Sequence, residues 1–516
     1  MDATAPLHLD GSSLDLRAAC VAASAPRCRV TIDAAARDRV RAARNLVETI
    51  LGEGRTAYGI NTGFGKLATT PIPRESLREL QHNLLVSHAV GVGPESPPEV
   101  VRLMLILRLQ NVLVGHSGVR EETINLLVQM IERDVLPVVP EQGSVGASGD
   151  LAPLSHLALV LGGLGEARFD GERMSGGEAL ARAGLKPIRL EAKEGLALIN
   201  GTQFSTAIAA LTLHRASELA VAADIACALS LEGFAGSVRP FDARIAHLRP
   251  HPGHAATAEN VRRLMEGSEI LASHHDCAKV QDPYSFRCVP QVHGACRDAL
   301  SHLRAILARE INAVTDNPLL FPNEGDVVSG GNFHAEPIAL PCDYATLAAA
   351  EFASISERRL ENLVNPDLSG LPPFLAGGRP GVNSGLMIIQ VTAAALVSEN
   401  KALAHPASVD SIPTSASKED HVSMAPIAAR KFRSVVENTA QVVAAELFAA
   451  RLALHWRQPL RAGKGVQPVY ELLRDRILPP GDDRAFGRDH QVAKALLDAG
   501  DIVAAAESAV GPLARP

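Results

Sequence analysis

Residues 204–236 read FSTAIAALTLHRASELAVAADIACALSLEGFAG, a stretch without proline in which alanine and leucine dominate. Those are the residues that lose least on entering a helix. The stretch is the first of five long helix candidates; the others cover 291–313, 343–365, 384–404 and 425–456. Five long helices in succession, joined by loops containing proline and glycine, suggest an elongated bundle. Composition agrees, because aromatic residues make up only 3% of the 516 and hydrophobic residues 47%, which favours packed helices over a sandwich or barrel. Beyond 456, shorter helices are expected near 470–477 and 491–508. The expected fold is mainly α. A loop-rich N-terminal part (1–203) precedes a central long-helix bundle (204–456), and short C-terminal helices (457–516) complete one unit.

Working back from Phe204, the chain is more varied. A short strand at 29–32 leads into a helix. Tyr58-Gly59-Ile60-Asn61-Thr62-Gly63-Phe64-Gly65 is a loop whose glycines permit unusual backbone angles. Leu77, Leu80 and Leu84 mark a helix face that runs into Ser87-His88. Ser96, a following proline and Glu99 form a helix-start signal, and the helix behind it (100–114) is apolar on nearly every side, so it should be buried. Ile124, Leu127, Val128 and Ile131 share the face of another helix, which Pro137 should stop.

A formal charge of −7 argues against nucleic acid or an anionic membrane as the main partner. No run approaches the roughly 18 apolar residues of a membrane span. The first residues lack a basic stretch followed by an apolar one, so no secretory signal is expected. Seven scattered cysteines without a Cys-x-x-Cys read as reduced thiols of a cytoplasmic protein. His274, His275 and Cys277 cluster, as do His247, His251 and His254, but neither set has the second half of a zinc motif, so no metal is expected.

The chemistry centres on the glycine-rich loop 141–150 and on Ala147-Ser148-Gly149 within it. Removing ammonia from an amino acid needs an electron-poor centre, and backbone can supply one. The Gly149 amide nitrogen would close on the Ala147 carbonyl carbon, and Ser148 would then lose its hydroxyl to leave an exocyclic methylidene. Gly149 lacks a Cβ and can close the turn; Ala147 is small; Ser148 carries the leaving group. A helix opening after Asp150 would point free N–H groups at the ring.

Gly143-Ser144-Val145-Gly146-Ala147-Ser148-Gly149-Asp150-Leu151-Ala152-Pro153-Leu154 resembles the signature of the aromatic amino acid ammonia-lyase family, which makes methylidene-imidazolone (MIO) from Ala-Ser-Gly. The resemblance runs in order from about 55 to about 455. It takes in the Tyr58 loop, Ser87-His88-Ala89, Ile199 to Gln203, Val280 to Arg287, Asn332 to Glu336 and Glu419 to Met424. It implies the architecture of the fumarase/aspartase-like superfamily and a tetramer whose sites take residues from three chains. It also implies roles. Tyr58 would remove the β-proton, which requires neighbours that lower its pKa from about 10. Arg287 would hold the substrate carboxylate with its planar fork. Asn200, Gln281 and Tyr284 would hydrogen-bond the carboxylate, the amine or the MIO ring, and Phe333 would wall the pocket.

Two positions speak to the substrate. Members acting on phenylalanine carry an apolar pair at Ser87-His88, and those acting on tyrosine usually His-Leu; Ser-His is the arrangement for histidine, whose ring nitrogen His88 can hydrogen-bond. A phenyl ring there would leave the imidazole unpartnered, at roughly 1–3 kcal/mol. Glu419 stands where members acting on phenylalanine have Gln, and its carboxylate can take a proton from, or pair with, the leaving amine or the imidazole. The implied reaction is elimination of ammonia from L-histidine to give trans-urocanate, with attachment to MIO through the amine or the ring left open. A phenylalanine or tyrosine lyase, an aminomutase and an inactive helical scaffold are the alternatives. One departure stands out: Ser417-Lys418 replaces the usual Asn-Gln before the Glu, so Lys418 either stays in solvent or pairs with Glu419.

Overall fold

The computed structural model describes residues 6–275, 280–379 and 381–516. Cys277 lies outside them, so the His274–Cys277 cluster is not described. All five long helices form, at Gln203–Phe234, Val289–Glu310, Glu336–Val364, Met387–Leu403 and Ala425–His455. The mainly α reading holds: strands among the described residues make only small two- and three-stranded sheets. No helix among them is long and apolar enough to cross a membrane.

The chain gathers into two compact units. The first comprises 1–211, 304–343 and 406–430, and the second 212–303, 344–405 and 431–516. In the first, the helix Pro98–Leu113 is buried along its whole length from Val100 onward, as its uninterrupted apolar sequence requires. It packs against Leu16–Ser24, Ala34–Gly52 and Glu121–Arg133. Strand Val30–Ile32 pairs in parallel with Leu7–Leu9, an element not anticipated from sequence. The start signal was misplaced by one residue. Pro97 occupies the cap position and Pro98 the first turn, so Ser96 makes no cap bond. Pro137 does not end the helix before it either, because Asp134 enters the left-handed region (φ 59°) first and Leu136–Pro137 is already strand.

Three shorter helices of this unit pack on one another: Leu77–His88, Leu151–Leu161 and Glu194–Ile199. His88 is the last residue of the first, Asp150 precedes the second, and Asn200 follows the third. Packing their apolar faces therefore brings three polar termini together.

The second unit is a helix core around buried charges. Arg359 donates from Nε and Nη2 to both oxygens of Glu446 at 2.5 and 2.7 Å, and Ser230 and Ser356 hydroxyls complete the carboxylate. Asp224 accepts from His293 at 2.7 Å and from Arg297 at 2.5 Å. The expected C-terminal helix 491–508 is two, Phe486–Asp498 and Asp501–Val510, divided at Gly500.

Candidate active site

Tyr58, His88, Ala147, Ser148, Asn200, Phe333 and Glu419 line one cavity of about 1080 Å³ in the first unit. These residues lie as much as 361 positions apart in sequence (419 − 58), so the fold assembles the site. Gly149 is buried and does not line it. Gln281, Tyr284 and Arg287 do not line it; they belong to the second unit, where Gln281 and Tyr284 are exposed and the Arg287 guanidinium lies 4.4 Å from the Tyr284 ring centroid.

The Ala147-Ser148-Gly149 loop is held from several sides. Asp150 N–H donates to the Gly201 carbonyl at 2.7 Å, and Ser423 Oγ donates to the Gly146 carbonyl at 3.0 Å. Gly149 has φ +70°, and a Cβ there would sit 2.1 Å from the Gly201 oxygen. Only glycine fits both conditions. The Asp150 carboxylate does not cap its own helix, as a helix-end reading would have it. It accepts from Ser205 N–H at 2.8 Å and Ser205 Oγ at 2.9 Å instead. Burial pushes Asp150 up to about 6 against those bonds. This compressed, glycine-dependent turn fits a precursor of a cyclised backbone group: Ala147 is buried, Gly149 is pressed close to a neighbouring backbone, and the Ser148 carbonyl accepts from Asn200 Nδ2 at 2.8 Å. A donor aimed at that oxygen would stabilise negative charge arriving on the ring.

Glu419 is gripped by hydroxyls. Oε1 accepts from Ser148 Oγ at 2.5 Å; Oε2 accepts from Thr414 Oγ1 and Ser415 Oγ, each at 2.7 Å. Burial pushes its pKa up, but these three bonds and the facing His88 outweigh burial and hold the carboxyl below the usual range. Thr414 and Ser415 were not anticipated. Sequence gave no signal for them, because they reach Glu419 through a turn in which Ser415, Ala416 and Ser417 all have positive φ, a conformation no propensity favours for those residues. Lys418 is exposed, lines the same cavity, and makes no ion pair with Glu419 among the described contacts.

His88 is lowered by burial, against the Leu84 carbonyl and Glu419, and so is neutral near pH 7. Its Nδ1 lies 3.0 Å from Ser87 Oγ, which also reaches the Leu84 carbonyl at 3.2 Å. The serine hydroxyl has one proton. If it goes to Leu84, Nδ1 must be the donor to Ser87, and Nε2 is left with a lone pair.

Tyr58 departs from expectation. Burial raises it and Glu419 raises it further, while a backbone bond with Gly65 only partly offsets them. Among the described residues no cation lowers it. His334, Glu336 and His421 bring donor atoms within 4.8 Å at the cavity edge. His334 Nε2 is already spent on the His421 carbonyl at 3.1 Å and Nδ1 on the Glu336 N–H at 3.4 Å, so the geometry is that of a hydrogen-bonded cluster.

The Ala147–Gly149 loop thus shares one cavity with a carboxylate, a phenol and a neutral imidazole, the groups expected of a carbon–nitrogen lyase. The match extends along the chain: residues 15–475 fit the family model described as aromatic amino acid lyase, and the chain belongs to that family. A histidine ammonia-lyase of Sorangium cellulosum (strain So ce56) is 55% identical over 494 residues, covering 94% of this chain and 96% of that protein. The crystal structure of histidine ammonia-lyase from Trypanosoma cruzi superposes with a TM-score of 0.91 at 41% identity, covering 98% of this chain and 96% of that one. A tyrosine aminomutase from Streptomyces globisporus reaches 0.93 at 35% identity, covering 99% and 100%.

Proposed function

We propose that this chain is an ammonia-lyase that converts L-histidine to trans-urocanate, using MIO formed autocatalytically from Ala147-Ser148-Gly149. The carrying observation is that His88, a neutral imidazole, lines the same cavity as Ser148 with its Nδ1 against Ser87 Oγ. In the Nδ1–H tautomer its Nε2 lone pair accepts from the ring N–H of a histidine substrate. Full-length similarity to proteins named histidine ammonia-lyase supports the same substrate.

When formed, MIO supplies the electron-poor centre that makes the amine a better leaving group. The chain's own residues do the rest. His88 fixes the substrate ring, and Phe333 walls it. Asn200 holds the Ser148 carbonyl. Glu419, ionised and aimed by Thr414 and Ser415, takes or returns a proton at the departing amine. Tyr58 removes the β-proton.

Tyr58 needs a cation to act near neutrality, and the reading of the enzyme as a homotetramer with shared sites supplies one: Arg287, with Tyr284 and Gln281, reaches the site from neighbouring subunits. Tyr284 is 68% exposed, as a group awaiting such a contact would be, and the Arg287 guanidinium lies beside its ring. The cysteines among the described residues are all free, in keeping with a cytoplasmic enzyme.

The test is a substrate panel followed by ultraviolet absorbance. L-histidine gives the urocanate spectrum, and L-phenylalanine and L-tyrosine give turnover lower by about a hundredfold or more. Cinnamate or coumarate without urocanate, or a β-amino acid product, would overturn the assignment.

A further inference from the structure

Glu419 touches the one side-chain atom of the Ala147–Gly149 loop that has to leave. Its Oε1 accepts from Ser148 Oγ across 271 residues of sequence, and its Oε2 is filled by Thr414 and Ser415. The two hydroxyls on Oε2 fix the carboxylate, so Oε1 is aimed at Ser148. A satisfied polar pair would be the ordinary reading of a Ser–Glu contact. Here, though, both residues line a cavity open to water, so neither needs the other for satisfaction. Ordering three hydroxyls on one half-exposed carboxylate costs side-chain entropy that water would not have charged.

We propose that Glu419 also makes the prosthetic group, as the acid–base residue of the second dehydration of Ser148. The proposal rests on the reading of Ala147-Ser148-Gly149 as a precursor. Ring closure comes first. The Gly149 nitrogen bonds to the Ala147 carbonyl carbon, and the former carbonyl oxygen leaves as water with the protons of the Gly149 and Ser148 nitrogens, leaving a C=N bond. In the second step the Glu419 carboxylate takes the Cα proton of Ser148. The C–H electron pair becomes the Cα=Cβ bond, and the Cβ–Oγ bond breaks. Glu419 returns its proton to the departing oxygen, which leaves as a second water. The carboxylate ends as it began, and no oxidant or reductant is needed.

Three observations favour Glu419 over its neighbours. Its carboxyl is held in the ionised form that must start the step. Tyr58 is raised and so is protonated when the precursor folds. His88 makes its described contacts to Ser87 rather than to the loop. Loss of the hydroxyl also removes the Oε1 partner. The same carboxylate is thereby released to the substrate only after maturation is complete.

Intact-mass spectrometry of the folded, full-length protein at intervals after synthesis tests this without any assay of turnover. Wild type should lose the mass of two waters. Glu419→Gln, which keeps the shape but cannot cycle a proton, should lose the first water and stall, with the second loss slowed on the order of a hundredfold. Glu419→Asp should complete both losses more slowly than wild type. The proposal is overturned if Glu419→Gln loses both waters at the wild-type rate, or if Gln and Asp stall alike. Should Glu419→Gln show no cooperative melt, Thr414→Val decides. It leaves the carboxylate but loosens its aim, so slowing of the second loss alone supports the step, and wild-type timing overturns it. A wild type that keeps both waters would instead remove the precursor reading itself.

Discussion

Glu419 in the first unit and Glu446 in the second each have both oxygens filled, yet by different company. Glu446 is fully buried, with the Arg359 guanidinium forked across it and two serine hydroxyls beside it. Glu419 is half-buried and is held by three hydroxyls with no cation in contact. A buried carboxylate neutralised by a paired guanidinium has no reactivity left to offer. One stabilised only by neutral donors stays ionised and poised, and one of those donors is itself a group that can leave. Both units bury paired charges that hold the fold, Lys193 with Asp316 in the first and Arg359 with Glu446 in the second, but Glu419 is left available for chemistry.

The sharpest way to break this contrast is to compare substitutions in the two places. Ser148→Ala should reduce histidine turnover by about a thousandfold or more while shifting the melting midpoint by no more than about 2 °C. Glu446→Ala should do the reverse. With Arg359 left buried and unpaired, stability should fall by about 3–5 kcal/mol in denaturant titrations, while kcat per folded molecule stays near wild type. If Glu446→Ala instead altered kcat in the folded fraction, the division of labour would fail.

A smaller effect belongs to His88. His88→Leu should cost kcat/KM for histidine about 10- to 100-fold. In wild type, kcat/KM should decline as pH falls through the His88 value, because protonation puts a hydrogen on Nε2 and turns an acceptor into a donor. Burial holds that value below the ordinary 6.5, so the acid limb should lie below it and be absent from His88→Leu. The smallest effect is expected at Lys418. Since it is exposed at the cavity rim and has no described contact with Glu419, Lys418→Gln should change kcat/KM by less than about twofold, and a larger change would show that it does reach Glu419 during turnover.

Legibility in the sequence followed the same division. Four of the long helices could be placed within about three residues because their apolar periodicity and composition are local properties; the helix expected at 343–365 starts at Glu336 instead, running through Pro341. Errors fell where a single residue decides a boundary. Tandem Pro97-Pro98 moved one helix start, Asp134 entered a left-handed turn ahead of Pro137, and Gly500 cut one expected helix in two. At the site, motif order located Tyr58, His88, Ser148, Asn200, Phe333 and Glu419, all of which reach one cavity. It could not reveal what aims them. Thr414 and Ser415 act through an unfavourable backbone turn, and Asn200 meets Ser148 only because three helix ends converge. The raised Tyr58 was missed for a similar reason: its surroundings are set by partners distant in sequence.

The contact between Gly149 and Gly201 has a consequence for anyone who would move this chemistry elsewhere. Gly201 also has a positive φ, and a methyl on it would collide with Gln203 and Arg108, so neither member of the pair can gain a side chain. Grafting the tripeptide alone onto a new scaffold would import the reactants without the vice that squeezes them. A transplant would have to carry both glycines, with the backbone between them at the same spacing, as one inseparable part.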